Sequence, residues 1–395
     1  MSSGFVKRSV GDVLMRLHKS FPVIGITGPR QAGKTTLARQ SFPEKPYVTL
    51  EDPDQLDFAR TDPRRFLAQF PDGAIFDEVQ RCPELFSYIQ GVVDENQVMG
   101  EFILTGSQQF GFREHVSQSL AGRIGMLHLL PFSSQELRLH GGAERSLDET
   151  MFRGFYPPVH HRTVLPSDWY ASYVQTYVER DVQQVLHVKE MNNFRLLLKL
   201  CAGRAGQLLN LSGIGNDAGV SHNTIKEWLS VLEASYITFR LQPHYQNFSK
   251  RLIKSPKLYF YDTGLLCWLL GIRSADQLAV HAMRGAIFEN YVIAELAKHY
   301  YSTGDIPPLY FWRDQSGLEI DLIIEDAGKL TPVEIKSGQT LVADFFKGLN
   351  RWTTLAGDTA GDPVLIYGGQ ADQQRTGAHI YGWQSMADIP SRLES

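Results

Sequence analysis

Residues 28–35 form a glycine-rich loop that constrains the fold more than any other segment of the 395-residue chain. They read Gly-Pro-Arg-Gln-Ala-Gly-Lys-Thr, which matches G-x-x-x-x-G-K-[ST], and they lie directly after the apolar run Val23–Thr27 and before a helical pattern. In a strand–loop–helix of this spacing, backbone N–H groups turn inward around phosphates and the helix N-terminus adds a favourable dipole. The loop therefore predicts a nucleotide site.

The predicted nucleotide-binding residues are the whole loop and the residue that follows it: Gly28, Pro29, Arg30, Gln31, Ala32, Gly33, Lys34, Thr35 and Thr36. We expect the ammonium of Lys34 to reach the β- and γ-phosphates and the hydroxyl of Thr35 to hold Mg²⁺. ATP and Mg²⁺ are the expected cofactors, and the sequence leaves the choice between ATP and GTP open.

Two adjacent acids end the apolar run that begins at Ala74. Asp77 is placed to bind the water shell of Mg²⁺, and Glu78 to polarise the attacking water as a general base. Alternation along a strand points their side chains apart. Two solvated acids at a strand end are the alternative, but their position downstream of a phosphate-binding loop favours an ATPase or GTPase centre.

Polar residues in two further places are candidates for sensing the nucleotide. Thr105 and Ser107 end the run that begins at Phe102 and could sense the γ-phosphate, although a simple turn is equally compatible. Arg123, with Arg180 as a second candidate, could contact the nucleotide of a neighbouring subunit. Such an arginine finger accelerates hydrolysis by about 10³- to 10⁵-fold and implies a homo-oligomer, in some cases a ring. A structural ion pair is the alternative for each arginine.

Alternating short apolar runs and helical patterns over residues 21–140 predict a parallel α/β sheet with crossover helices. The length suggests two or three domains, which we place at 1–165 (the P-loop core), 166–280 (a lid helix and a helical module) and 281–395 (a second α/β domain). Apolar residues make up 43% of the chain and charged residues 21%, which excludes disordered and fibrous classes. Three scattered cysteines and the lack of an apolar leader or a long apolar run predict a cytoplasmic protein without a membrane span.

Residues 211–234 predict a helix-turn-helix with helices at 211–218 and from 222 onward, and with Ser221 as the N-cap of the second. In such a module the second helix enters the major groove of DNA. The predicted DNA-binding residues are the polar side chains at its start and two basic residues farther on: His222, Asn223, Thr224, Lys226, Lys250 and Arg251.

Basic residues exceed acidic ones between residues 187 and 270, with ten Lys and Arg against five Asp and Glu, although the whole chain has a net charge of -4. We expect four of them, Lys250, Arg251, Lys254 and Lys257, on or behind a wing that follows the second helix. A local basic surface suits the neutralisation of phosphates. Winged helices that bind only protein are the alternative.

Three carboxylates and a lysine in the last third of the chain predict a metal site. Asp321 and Glu334 lie in two strand-like runs that can pair as a hairpin across residues 325–329, and Glu289 lies in the preceding helix. Carboxylates are ligands that Mg²⁺ prefers, and Lys336 would orient or deprotonate the attacking water. A domain that binds DNA or protein without cutting is the alternative.

Taken together, the motifs resemble two known groups of proteins. The loop, the acids, LTGS, LAGR, YVERDV and KSPKLYFYDTGL resemble prokaryotic AAA-type ATPases that carry a C-terminal domain of unknown function. The D-x(n)-E-x-K pattern and GLEIDLII resemble PD-(D/E)xK nucleases. These resemblances imply an AAA-type core, a winged helix-turn-helix and a restriction-endonuclease-like domain. Where mainstream AAA proteins have an asparagine in the sensor strand, this chain has Thr105 and Ser107.

The sequence thus favours an ATP-hydrolysing, DNA-associated protein in which the nucleotide state controls how the winged helix and the nuclease-like domain engage DNA. One alternative is an NTP-controlled switch whose C-terminal domain is catalytically inactive and recognises protein or DNA. A kinase-like phosphotransferase is a weaker alternative, because the acids after the strand and an arginine supplied by a neighbour favour water as the acceptor.

Overall fold

The computed structural model describes residues 5–107, 112, 116, 118–141, 145–179, 191–245, 253–375, 377–386 and 389. The chain forms two compact units. Unit 1 contains Met1–Phe132, Ala234–Tyr236 and Tyr301–Asp305. Unit 2 contains Ser133–Glu233, Ile237–Tyr300 and Ile306–Ser395. The three-domain division made from the sequence stays a prediction.

Unit 1 is built around a five-stranded sheet in the order β2-β3-β4-β1-β5. All of its strand pairs are parallel. The predicted parallel α/β sheet is therefore confirmed. Since parallel strands end at the same edge, the order places the end of β4 between the ends of β1 and β3. Its strands are β1 (Val23–Thr27), β2 (Tyr47–Thr49), β3 (Ala74–Asp77), β4 (Phe102–Gly106) and β5 (Ile124–His128).

Helices cover both faces of this sheet because its strand residues are apolar on both sides. On one face Ile24, Ile75 and Ile103 pack against α1 and α2, and on the other Phe76 and Phe102 pack against α4 and α5. A parallel sheet buried on both faces is the usual arrangement in α/β proteins. The helices are α1 (Gly11–Ser20), α2 (Lys34–Ser41), α3 (Pro53–Thr61), α4 (Pro63–Leu67) and α5 (Leu85–Asn96), with a 3₁₀ turn at Val79–Arg81.

Unit 2 begins with short helices and the predicted helix-turn-helix. The two helices of that motif, α11 and α12, begin where the sequence predicts, and Gly219 between them adopts a left-handed conformation with φ of 70°. A π-helical turn, Val174–Val178, follows α9. The helices up to this point are α6 (Ser134–Leu139), α7 (Leu147–Arg153), α8 (Pro157–His161), α9 (Pro166–Tyr173), α10 (Met191–Ala202), α11 (Leu211–Ala218) and α12 (His222–Ala234).

An eight-stranded mixed sheet in the order β12-β13-β11-β10-β9-β8-β6-β7 forms the rest of unit 2. The strands are β6 (Thr238–Pro243), β7 (Lys257–Phe260), β8 (Leu309–Arg313), β9 (Glu319–Asp326), β10 (Lys329–Lys336), β11 (Val364–Tyr367), β12 (Gln373–Arg375) and β13 (Ala378–Gly382). The accompanying helices are α13 (Thr263–Leu269), α14 (Ala275–Ala279), α15 (Arg284–Thr303) and α16 (Lys347–Ala356), with 3₁₀ turns at Ala343–Phe346 and Gly357–Thr359.

Helix α16 packs against strands β8, β9 and β10 of this sheet. Its Trp352 lies edge-on to Trp312 of β8, with ring centroids 6.4 Å apart. The antiparallel pair β9–β10 is the predicted hairpin, with Asp326 opposite Lys329. Among the helices that the structure describes, none has a stretch both long and apolar enough to span a bilayer.

Candidate functional site

The phosphate-binding loop connects β1 to α2 through two glycines that cannot be replaced without strain. A Cβ atom on Gly28 would lie 2.0 Å from the carbonyl oxygen of Leu129. Gly33 is the N-cap of α2 and has a φ of 96°, in the left-handed region that favours glycine. The backbone thus requires glycine at both fixed positions of the motif.

The ammonium of Lys34 lies at the loop itself. Its Nζ donates to the carbonyl oxygens of Gly28 at 3.0 Å and Pro29 at 2.9 Å, and the residue is buried. Hydrogen bonds from an ammonium to neutral carbonyls are weaker than those to a charged phosphate. The lysine is therefore held where incoming phosphates can replace the two carbonyls as its partners.

The remaining loop residues line this turn. Arg30 lies 4.0 Å from the carboxylate of Glu51, and Gln31 has a φ of 63°. The carbonyl of Ala32 accepts a hydrogen bond of 2.9 Å from the guanidinium of Arg8. Arg8 could not be predicted from the sequence, because an arginine far upstream of the motif carries no recognisable pattern. Pro29 is buried and Thr36 is exposed.

The carboxylate of Asp77 accepts hydrogen bonds from hydroxyl groups on three elements. Thr35 of α2 and Tyr47 of β2 donate to its Oδ2 at 2.9 and 2.8 Å. Thr105 of β4 donates to its Oδ1. Burial and the Asp77 carboxylate raise the pKa of Tyr47 above its ordinary value, so its hydroxyl stays protonated and donates. The register that aligns Tyr47 with this site could not be predicted from sequence.

The oxygen atoms of Thr35 and Asp77 fit the Mg²⁺ that the motif implies. Both are hard donors, they lie within 2.9 Å of each other, and Mg²⁺ keeps several waters and needs only one or two protein ligands. Among the described residues, no three Asp, Glu, His or Cys side chains are arranged to hold a metal ion. Thr35 and Asp77 are the residues that would hold Mg²⁺, with phosphate and water oxygens as its remaining ligands.

Glu78 lies just beyond the end of β3, which ends at Asp77, and has a left-handed backbone with φ of 55°. Its Oε2 accepts hydrogen bonds from Ser107 Oγ at 3.0 Å and from Gln80 Nε2. The expected alternation of Asp77 and Glu78 along a strand is wrong, because the strand has ended and both carboxylates bond to residues at the end of β4. Thr105 and Ser107 each hold one of the two acids.

Arg123 lies near the N-terminal ends of the strands, whereas the phosphate-binding loop of the same chain follows the C-terminal end of β1. Arg123 precedes β5, and its carbonyl accepts from the N–H of Val23 at the start of β1. Five strand residues, about 16 Å, separate these N-terminal ends from the loop. The guanidinium forms a two-pronged ion pair with Asp94 of α5, which raises the pKa of Arg123. Arg123 could therefore act only on a neighbouring subunit, and Arg180 lies outside the described residues.

A hydrogen-bonded triangle of side chains lies at the end of β1, immediately before the loop. Thr27 Oγ1 is 2.8 Å from the hydroxyl of Tyr236 and 3.0 Å from Nδ1 of His128, and the last two atoms are 2.7 Å apart. Tyr236 belongs to unit 1 and has a φ of 56°. This triangle could not be predicted from the sequence, because Tyr236 is 209 residues from Thr27.

The predicted DNA-facing residues lie on the first turn of α12. The N–H of Thr224 donates to Ser221 Oγ at 3.1 Å, which confirms the predicted N-cap. His222, Asn223 and Lys226 are exposed, whereas Ile225 and Leu229 on the apolar face of α12 are buried. Lys250 and Arg251 lie outside the described residues.

The local excess of basic charge is smaller at the surface than the sequence suggests. Arg195, Arg204 and Arg240 form ion pairs with Glu179, Asp217 and Glu233. Lys257, which we expected on or behind a wing, begins β7 and is buried among carboxylates. Charge counting along a sequence does not distinguish exposed from buried lysines.

The predicted C-terminal metal residues are close together in unit 2. Lys336 Nζ lies 2.5 Å from Glu334 and 3.6 Å from Asp321, whose Oδ2 accepts from the N–H of Ile335 at 2.9 Å. Burial and the charge of Asp321 raise the pKa of Glu334 to about 7, and the same two causes raise the pKa of Glu289.

Residues that the sequence analysis did not assign to this site complete its surroundings. Lys257 lies 3.2 Å from Glu289 and 2.6 Å from Glu319, and the hydroxyl of Tyr259 donates to Glu289 at 2.6 Å. Glu319 lies two residues before Asp321 on β9, so the same alternation of acids and apolar residues could have predicted it as a member of this site. Lys257 and Tyr259 could not have been predicted, because β7 carries no motif.

The strand order, the loop and the acids define a P-loop ATPase of the AAA type. Residues 20–138 match the family model described as AAA domain. Residues 144–276 and 284–386 match two families described as domains of unknown function, DUF8612 and DUF4143.

The chain belongs to the family of two uncharacterized mycobacterial proteins, Mb2031c of Mycobacterium bovis and Rv2008c of Mycobacterium tuberculosis. It is 32% identical to each over 327 residues, which are 82% of this chain and 72% of theirs.

Two solved structures are more distantly similar. The Walker-type ATPase paby2304 of Pyrococcus abyssi has a TM-score of 0.43 and 14% identity over 67% of this chain and 96% of its own. AMPPCP-bound DnaA from Aquifex aeolicus has a TM-score of 0.29 and 14% identity over 57% of this chain and 85% of its own. Because these TM-scores are low, the assignment to the AAA-type ATPases rests on the family match and on the geometry of the phosphate-binding loop, Asp77 and Glu78.

Replacing Lys34 by Ala is expected to abolish ATP binding, because it removes the cation that faces the phosphates. Glu78→Gln is expected to bind ATP normally and to lower turnover by at least about 10²-fold, because it removes only the general base. Equilibrium binding of a fluorescent ATP analogue and phosphate release measure the two effects. Unchanged turnover in Glu78→Gln would contradict the role of this carboxylate.

If Arg123 acts on a neighbouring subunit, Arg123→Ala lowers turnover by about 10³-fold or more. Mixing it with Glu78→Gln subunits then restores part of the activity, since mixed interfaces combine an intact arginine with an intact base. Asp94→Asn is the matched control, because it breaks the same ion pair and leaves the guanidinium in place. Equal turnover in wild type and Arg123→Ala at every protein concentration contradicts the role and leaves only the ion pair.

Proposed function

We propose that this protein is an ATP-hydrolysing, DNA-associated ATPase in which the nucleotide state controls how the helix-turn-helix engages DNA. The observation that carries the proposal is the hydrogen bond of 2.8 Å between Thr27 and Tyr236. Thr27 is the last residue before the phosphate-binding loop, and Tyr236 follows α12 by two residues. A change at the loop can therefore reach the end of the predicted recognition helix.

In the proposed hydrolysis, each residue of the loop and the acids has a separate task. Lys34 binds the β- and γ-phosphates, and Thr35 and Asp77 hold Mg²⁺, which neutralises charge that develops on the phosphates. Glu78 accepts a proton from the attacking water. Ser107 and Gln80 bond to the same carboxylate oxygen of Glu78, so they set its orientation and its access to the water.

The triangle of Thr27, His128 and Tyr236 supports coupling because two of its residues are buried and one of them has a strained backbone. Thr27 and Tyr236 are buried, and a tyrosine with a positive φ is uncommon. Strained backbone persists where the surroundings fix it, often at switch regions. The Thr27 hydroxyl thus connects the loop strand to a segment that the rest of the fold holds in one conformation.

The support for DNA as the partner lies on α12. Its first turn presents His222, Asn223 and Lys226 to solvent beside the capped N-terminus, and the helix packs its apolar face inward. This arrangement suits insertion into a major groove. Lys250 and Arg251 would add phosphate contacts, and this part of the proposal rests on the sequence alone.

Lys226→Ala is expected to weaken duplex binding for all sequences and to reduce the slope of log affinity against log salt by about 0.9, because one phosphate contact is lost. Fluorescence anisotropy across a salt series measures both effects. Lys19→Ala, an exposed lysine of α1, is the control and should change neither. If the Lys226 variant and the wild type have the same slope, Lys226 does not contact a phosphate and the DNA contact lies elsewhere.

Tyr236→Phe is expected to retain ATP binding and to reduce the stimulation of ATP turnover by duplex DNA about fivefold or more, because it removes the hydroxyl that bonds Thr27. Tyr245→Phe, which alters a tyrosine that is 62% exposed, is the matched control. If DNA does not stimulate the wild type, or stimulates both variants equally, the coupling proposal fails.

A second candidate function is an NTP-controlled switch. Its C-terminal domain recognises DNA or protein and has no nuclease activity. The position of Lys257 among the predicted metal ligands favours it. Nuclease activity of Asp321, Glu334, Glu289 and Lys336, the homo-oligomeric state and the cytoplasmic location stay predictions.

A further inference from the structure

Four carboxylates of unit 2 lie close together and form what we call the carboxylate cluster: Glu289, Glu319, Asp321 and Glu334. Glu289 is on α15, two of the others are on β9, and Glu334 is on β10. If the cluster were a nuclease centre, a divalent cation would neutralise these charges. Among the described residues, however, no three acidic, histidine or cysteine side chains are arranged to hold such an ion.

The cation inside the carboxylate cluster is the ammonium of Lys257. This residue is 3% exposed, and its Nζ lies 2.6 Å from Glu319 and 3.2 Å from Glu289. At these distances the ammonium forms ion pairs with both carboxylates, and Lys257 is far more buried than either of them.

The backbone holds Lys257 in this position. Strand β7 pairs with β6, where Lys257 lies opposite Leu241. The side chain of Asn290 clamps the same strand through the N–H and the carbonyl of Phe260, both at 2.8 Å. Two residues along β7 from Lys257, Tyr259 donates to Glu289, so the same face of the strand contacts this carboxylate twice. Lys257 is therefore a fixed part of the cluster.

Two further cations contact the cluster, the guanidinium of Arg313 at 3.0 Å from Glu319 and the ammonium of Lys336. The Nζ of Lys336 is 2.5 Å from Glu334 and 3.6 Å from Asp321. A divalent cation among these carboxylates would face positively charged side chains at short range, and like charges repel. The residues present thus do not fit the metal that the nuclease resemblance implies.

We propose that Lys257 is the resident cation of the carboxylate cluster, and that it excludes Mg²⁺ and Mn²⁺ from this part of the protein. The C-terminal domain then cleaves no phosphodiester bond. The cluster instead holds β7, α15, β9 and β10 together through internal ion pairs. This inference is independent of ATP hydrolysis and of DNA engagement by α12.

The test is direct binding of Mn²⁺ in the absence of nucleotide, measured by electron paramagnetic resonance of free Mn²⁺. Binding that Asp321→Asn removes is assigned to the carboxylate cluster, which separates it from Thr35 and Asp77. The wild type is expected to show no such binding at millimolar Mn²⁺. Lys257→Met, which keeps the length of the side chain and removes its charge, is expected to gain an Asp321-dependent site.

Lys254→Met is the matched control, because it alters an exposed lysine three residues away and should gain no site. Circular dichroism measures whether each variant is folded. Lys257→Gln is a second neutral variant, to be used if Lys257→Met does not fold. The proposal is overturned if the wild type binds Mn²⁺ in an Asp321-dependent manner, or if both neutral variants of Lys257 fail to gain a site. Metal-dependent DNA cleavage that Asp321→Asn abolishes would overturn it as well.

Discussion

The carboxylate of Asp77 is the interaction on which the arrangement of the nucleotide site depends. It accepts hydroxyl protons from Thr35, Tyr47 and Thr105, which lie on α2, β2 and β4. A buried carboxylate without donors would be costly, so these bonds fix the ends of three elements relative to β3. The order of the parallel strands makes the convergence possible, because it brings the end of β4 between the phosphate-binding loop and the acids.

Local sequence patterns were sufficient for the elements whose conformation depends on near neighbours. The loop with its two glycines, the five strands of unit 1, the helix-turn-helix and its Ser221 cap all follow from residues within a few positions of one another. Glu78 departs from the expected alternation because β3 ends at Asp77, so that Glu78 lies outside the strand.

Features that join distant segments could not be predicted in this way. The partner of Arg123 is Asp94, which is 29 residues away, and the partners of Lys257 include Glu289, which is 32 residues away. Each contact depends on which strands and helices become neighbours in the fold. Lys257 illustrates the physical limit, because a basic residue in a basic stretch was expected at the surface and is instead buried, where it pairs with two partly exposed carboxylates.

We propose that the hydrogen bond between Thr27 and Tyr236 couples the nucleotide site to α12, so that DNA binding depends on the bound nucleotide. The most direct measurement is the affinity of the wild-type protein for duplex DNA at fixed salt, without nucleotide and with a saturating, slowly hydrolysed ATP analogue and Mg²⁺. A coupling free energy between the two sites of ordinary size predicts that the affinities differ by about fivefold or more. Equal affinities in the two states would contradict the account.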